Sequence, residues 1–145
     1  QSDALELPVQ FTVNMGFERH SVTKLAVHLV FTTQYRRRRF DGYMIEQLLE
    51  AFESACEKLE CDLLEMDGEA DHVHLLIAYP PKLAISVMVN NLKSVSSRRI
   101  RLLNTHISRQ SKSAALWSRA YFACSAGRAT IETLRKYVQS QATPE

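Results

Sequence analysis

Apolar and polar positions along the chain repeat with two different periods. In TKLAVHLVFTT, residues 23–33, Leu25, Val27, Leu29 and Phe31 share one face of an extended segment. Ala26, His28 and Val30 share the other, and a segment apolar on both faces predicts a central strand. The basic stretch QYRRRRF follows and reads as a loop. Residues 41–60 place apolar side chains at 45, 48, 49, 52, 55, 56 and 59, the spacing of an amphipathic helix. CDLLEM (61–66) predicts a second strand, and DGEAD (67–71) has the turn residues of a hairpin loop. The next strand, HVHLLIAY, begins at His72 and stops at Pro80-Pro81. A second helix spans about 84–104 on a stripe of Ile85, Met88, Val89, Leu92 and Val95, and residues 105–115 are polar and read as loop. LWSRAYFACS (116–125) predicts a fourth strand, and ATIETLRKYVQSQ (129–141), beyond Gly127, a last helix.

The order β-α-β-β-α-β is that of an α+β, ferredoxin-like domain, an antiparallel sheet with two helices on one face. In that plan the first and third predicted strands are neighbours at the sheet centre. The last helix has no place beside the two core helices, so it covers the opposite sheet face or leaves the domain. Residues 1–20 show no clean periodicity and read as an N-terminal extension to a single domain over 21–145. Met15 offers a natural start, with the residues before it then a remnant; the sequence leaves that open.

Composition narrows the class. The 145 residues suffice for one buried core, and no apolar run approaches the roughly 18 residues of a membrane span. No signal-peptide pattern opens the chain. Cys56, Cys61 and Cys124 are odd in number and lack C-x-x-C spacing, which points to a reduced, cytoplasmic protein. The net charge of +2 conceals an asymmetry: residues 1–81 hold seven basic against fourteen acidic side chains, residues 82–145 eleven against two. A polyanion would meet the second half first. Mixed surface charge that gathers into no single patch is the plainer alternative.

The chemistry begins with DHVHLLIAY. Side chains alternate along a strand, so Val73, Leu75 and Ile77 form the natural core face and His72 and His74 project together from the other. His28, on the neighbouring strand, points to that same face. Two imidazoles so placed can converge on a divalent ion, although two ligands rarely suffice and an H-x-H in a strand commonly binds nothing. On the last helix Tyr137 and Gln141 are four apart and share a face, beside the stripe of Ile131, Leu134 and Val138 that can dock the helix. A glutamine carbonyl is an acceptable third ligand, and a phenol one turn away would lie beside the cation. A tyrosine that attacks a phosphodiester conserves the bond in a phosphotyrosine linkage, which suits strand transfer better than degradation. Taken singly, Tyr137 reads equally as packing and Gln141 as solvated.

These segments resemble a known family. His72-Val73-His74 is similar to the HUH motif, and YVQSQ (137–141) to the catalytic-helix signature of the single-tyrosine HUH transposases of bacterial insertion sequences, the TnpA type. VHLVFTTQYRRRRF, LKSVSSRRIR and LWSRAYF agree further, so the resemblance covers roughly residues 22–142. It implies a ferredoxin-like fold, Mg2+ or Mn2+ dependence, recognition of hairpins near the element ends, and cleavage of single-stranded DNA that leaves a 5′-phosphotyrosine and a free 3′-OH. It assigns Tyr137 as nucleophile and His72, His74 and Gln141 as metal ligands, with His28 and Asp71 candidates for contacts behind them. It also implies a homodimer whose tyrosine helix often completes the partner's site. Two departures stand out: Ser94 where members commonly have glycine, and the segment before Ser21, which has no counterpart.

Arg36, Arg37, Arg38, Arg39, Lys93, Arg98, Arg99 and Arg101 are the candidate DNA contacts, with Tyr35 and Phe40 flanking the arginines either as stacking partners for unpaired bases or as core residues. Four successive arginines cannot all face one surface. Two alternatives share the features: a domesticated enzyme that processes repeated palindromes, and a non-catalytic nucleic-acid-binding ferredoxin-like module with structural histidines.

Overall fold

The computed structural model describes residues 10–14, 21–106 and 115–126. Its elements are β1 (Gln10–Asn14), β2 (Ser21–Thr33), α1 (Gly42–Lys58), β3 (Asp62–Gly68), β4 (His72–Tyr79), α2 (Ile85–Leu103) and β5 (Trp117–Ser125), with one 3-10 turn at Gln34–Arg36. The last predicted helix, residues 129–141, lies outside the described residues.

All strand pairs are antiparallel, and β2 is the spine. It pairs with β4 along one edge, while β1 and β5 share its other edge, and β3 closes the far side of β4. The ferredoxin-like plan is therefore present in β2, β4, β3 and β5, with the first and third predicted strands adjacent as expected. β1 is an addition. Residues 10–14 are too short to show a period, yet they pair with residues 21–25 and lengthen the sheet at that end.

One sheet face is sealed by the helices. Leu29, Phe31, Val73, Leu75 and Ile77 meet Leu48, Phe52, Met88 and Leu92, all essentially without solvent contact. Asp41 caps α1 by accepting from the Met44 amide at 2.9 Å. Cys56 and Cys61 belong to this core, and burial pushes their thiols up to about 12 and about 11, so both stay protonated.

Trp117 knits β5 to the helices. Its ring lies 5.4–6.4 Å from those of Phe31, Phe40 and Phe52, and its indole N–H donates to Ser96 Oγ at 2.9 Å inside the core. Phe40 is only 7% exposed, which decides between its two readings in favour of the core: it is spent on this aromatic cluster.

Ser96→Ala should strand the buried indole N–H and cost about 1–3 kcal/mol. Urea unfolding followed through Trp117, the sole tryptophan, measures it; an unchanged midpoint would show that the bond contributes nothing net.

Candidate active site and basic surface

The histidines owe their position to strand parity. β2 and β4 pair Leu29 with Leu75, Val30 with His74, Phe31 with Val73 and Thr32 with His72. The odd-numbered residues enter the core, so His72 and His74 emerge half-buried on the opposite face. His28 is diagonal to His74 across the pair, and the two rings lie near-coplanar, 5.4 Å apart between centroids. The His72 and His74 rings are 5.0 Å apart, edge to face.

The Nδ1 atoms of both are occupied. Asp71 Oδ1 lies 2.7 Å from His72 Nδ1, and an ionised carboxylate only accepts, so the ring must donate there. In the neutral form of the ring that leaves His72 Nε2 with a bare lone pair. His74 Nδ1 lies 3.3 Å from His28 Nε2. Two imidazole Nε2 atoms from one strand, each backed by a contact at Nδ1, suit a borderline divalent cation, so the donor set fits a metal. Among the described residues no group of three His, Cys, Asp or Glu side chains could hold one, which leaves at least one ligand to come from elsewhere.

Burial, then the repulsion that protonated His74 would meet from a protonated His72, holds the His74 pKa below 6.5, against Asp67 and Glu69. Burial, then His74, depresses His28. Both rings are thereby kept neutral, as ligation requires. The hydrogen bond from His72 holds the Asp71 carboxyl below its ordinary range, partial desolvation opposing and Arg36 reinforcing.

The arginine loop is fastened to the same turn. Arg36 reaches Asp71 Oδ2 through Nη2 at 3.0 Å and Nε at 3.2 Å. The amides of Arg39 and Phe40 donate to Ala70 O at 2.9 and 3.0 Å, and that of Thr33 to Asp71 O at 2.9 Å. Thr33 Oγ1 closes the loop by donating to Arg37 O at 2.7 Å. Within it Tyr35 and Arg36 take φ of 62° and 54°, a left-handed pair uncommon for such residues and costly in backbone strain. The outcome is a Tyr35 ring 73% in solvent, with the Arg37 guanidinium 5.4 Å from its centre.

The other basic residues divide. Arg37 and Arg38 are exposed. Burial, then Arg37 and Arg101, lowers the Arg39 pKa, so the loop and the end of α2 bring guanidinium groups together on one surface. Arg98 is exposed on α2, and Arg99 stands 3.9 Å from Glu50. Lys93 is placed differently: its amine donates to the carbonyls of Ser118, Arg119 and Ala120 at 2.7–3.3 Å and sits 5.4 Å from the Phe31 and Tyr121 rings. It ties β5 to α2. Ser94 is exposed, and with Asn90, Ser97 and Arg119 it lines an open groove of about 370 Å³ there. Tyr137 and Gln141 lie outside the described residues.

Thr33 and Asp67 escaped the sequence reading. Thr33 is fully buried at a position whose parity calls for an apolar residue, and a polar side chain at a core position is a sign of a hydrogen-bonded anchor. Asp67 stands opposite His74 in the register with β3, which no pattern in the sequence discloses.

A pH dependence follows for the metal-free protein. His28 and His74 have folded-state pKa values below the 6.5 of an unfolded chain, so the unfolded state binds more protons as the medium turns acid. Their contribution is complete above about pH 6.5 and is lost as pH falls through the depressed values. Urea midpoints should decline as pH falls below about 6.5, and less steeply in His28→Asn. A profile flat over that range would contradict neutral burial.

Known proteins share this arrangement of chain and fold. The family model for IS200-like transposases matches residues 21–141. Over 130 residues the chain is 28% identical to the transposase for insertion sequence element IS200 of Salmonella typhimurium, covering 88% of this chain and 85% of that one. Over 135 residues it is 26% identical to the ISDra2 transposase TnpA of Deinococcus radiodurans, covering 93% and 94%. Its fold is similar to the crystal structure of a candidate transposase from Deinococcus radiodurans R1, with a TM-score of 0.69, 24% identity and coverage of 90% and 98%. A REP-associated tyrosine transposase bound to a REP hairpin is similar at a TM-score of 0.55, 10% identity and coverage of 92% and 68%. No helix among the described residues is long and apolar enough to cross a membrane. With a match that spans most of its length, the chain belongs to the IS200-like transposase family.

Proposed function

We propose that this transposase cleaves and rejoins single-stranded DNA at hairpin-marked ends of an insertion sequence, through a 5′-phosphotyrosine formed on Tyr137. The observation that carries the reading is the pair His72 and His74, presented on an open sheet face with both Nδ1 atoms engaged, beside a loop of arginines fastened to the same turn. His72, His74 and Gln141 would hold Mg2+ or Mn2+, which supplies charge neutralisation at the scissile phosphate. Tyr137 loses its phenolic proton to solvent and its oxygen bonds to phosphorus as the P–O3′ bond breaks. The departing 3′ oxygen takes up a proton, leaving a free 3′-OH. One phosphoester replaces another, so the reversal can join the retained phosphate to a new 3′-OH.

Chain segments far apart serve the same substrate on this reading. Arg37, Arg38, Arg39, Arg98 and Arg101 contact phosphates, and Tyr35 stacks on an unpaired base. The helix predicted over 129–141 would dock its Ile131, Leu134 and Val138 stripe on the histidine face, where Ala26, Leu76 and Ala126 form a small buried apolar cluster and Phe122 is 55% exposed. It comes from the same chain or from the sister chain of a homodimer. The fold likeness to a hairpin-bound REP-associated transposase favours a second reading, the same chemistry on chromosomal palindromes. Palindromes paired at the gene's flanks would mark the mobile element, scattered ones the second.

With a 3′-labelled single strand bearing hairpin and junction, denaturing gels should show a covalent protein–DNA band that needs Mg2+ or Mn2+ and disappears with chelator. Tyr137→Phe should abolish the band while leaving DNA affinity within a few-fold. Persistence of the band in that variant would move the nucleophile, and persistence under chelation would remove the metal.

Affinity for the same strand should fall steeply and log-linearly with salt, as release of condensed counterions demands. An Arg37→Ala, Arg38→Ala double substitution should flatten the slope by about one to two units. An equal slope would take the loop out of the DNA surface.

A further inference from the structure

We propose that His28 is a positioning residue for metal binding, accepting a hydrogen bond from Nδ1 of His74 so that the single proton of that ring stays on Nδ1 and Nε2 is left bare for the cation. The inference rests on the reading of His72 and His74 as metal ligands. A neutral imidazole carries one proton on either nitrogen, and the nitrogen that carries it cannot ligate. At His72 the choice is forced by the Asp71 carboxylate, an acceptor only, 2.7 Å from Nδ1. His74 has no such carboxylate: among the described residues the hydrogen-bond contact at its Nδ1 is His28 Nε2, at 3.3 Å. If His28 donated there instead, His74 would carry its proton on Nε2 and drop out of the ligand set.

His28 is not itself a third ligand. Its Nε2 is turned to the Nδ1 of His74, the nitrogen that a cation at Nε2 does not use, and the described residues contain no three-member metal-binding group. Its position is fixed from both sides. β2 is held by β4 and β5 at this point, with Leu76 and Cys124 the register partners of His28, and the two ring planes are inclined by only 29°, which lets an in-plane N–H of one ring meet the lone pair of the other. The residue is thus a rigid acceptor supplied by the neighbouring strand, where a carboxylate serves the other histidine.

The test uses full-length, 15N-labelled protein at about pH 7.5, because imidazole 15N shifts distinguish a protonated from a bare nitrogen. Without metal, native His74 should be protonated at Nδ1, and in His28→Phe it should move to the Nε2-protonated form. Mn2+ affinity, read from the free-ion spectrum during titration, should fall about 10–100-fold in His28→Phe. His28→Gln, whose amide oxygen can accept the bond, should restore both readouts to within a few-fold of native. Native His74 protonated at Nε2, an unmoved tautomer and affinity in His28→Phe, or a glutamine no better than phenylalanine would each overturn the proposal. His74→Ala separates the two levels: if it abolishes Mn2+ binding while His28→Phe does not weaken it, only the role of His28 fails. If His74→Ala leaves binding intact, the metal reading fails as well.

Discussion

The site depends on the register of β2 against β4. Every side chain of interest on β4 is assigned to a face by that pairing, and a slip of one residue would turn Val73, Leu75 and Ile77 outward and the two histidines inward. The apolar residues enforce it. Each fully buried Val, Leu, Ile or Phe contributes about 1.5–3 kcal/mol, and five of them from these two strands lie beneath the helices. Burying two imidazoles in their stead would forfeit that gain and add unpaired polar groups. The core therefore orients the histidines without touching them, and it makes their spacing a property of the most rigid part of the molecule.

Asp71 joins that rigid part to the surface. One of its carboxylate oxygens meets His72 and the other meets Arg36, so the orientation of a candidate ligand and the pose of the arginine loop share one group. The loop could have been fastened by backbone bonds alone, since Thr33, Arg39 and Phe40 already bind the preceding turn. The added ion pair has another consequence: a phosphate that competes for Arg36 also alters the field at His72. The left-handed pair at Tyr35 and Arg36 fits the same pattern, a local cost carried where the chain must change direction abruptly between strand and loop.

Much of this was legible in the residues. The period of two in 23–33 and 72–79 and the helical stripes of 41–60 and 84–104 disclosed both the sheet and the face on which the histidines would stand. β1 was not legible, because five residues are too few to establish a period and its partner is chosen by adjacency to the start of β2. The packing of Phe40 and Lys93 was not decidable from the sequence: residues beside a basic run look like surface, yet an aromatic ring or a long alkyl chain is drawn into contact wherever the core or the sheet edge comes close. Pairs that meet only through tertiary packing, such as Arg39 with Arg101 or Asp67 with His74, leave no trace in local pattern.

On the proposed reading the two histidines of β4 would supply half of a metal site, and the half would have a physical use. Two neutral nitrogens bind a hard cation weakly, so occupancy must rise when a third ligand arrives. On the proposed assignment that ligand, Gln141, is one helical turn from Tyr137, and the segment that completes the coordination also delivers the nucleophile. Cation binding and tyrosine placement would then be a single event, reciprocal in free energy: whatever holds the helix against the open face strengthens the metal, and the metal holds the helix. On that reading, an enzyme that must cut only after its DNA is assembled would gain a safeguard from this division. The imidazole pair alone would activate little, and a phenol away from it, ordinarily protonated at neutral pH, is a poor nucleophile.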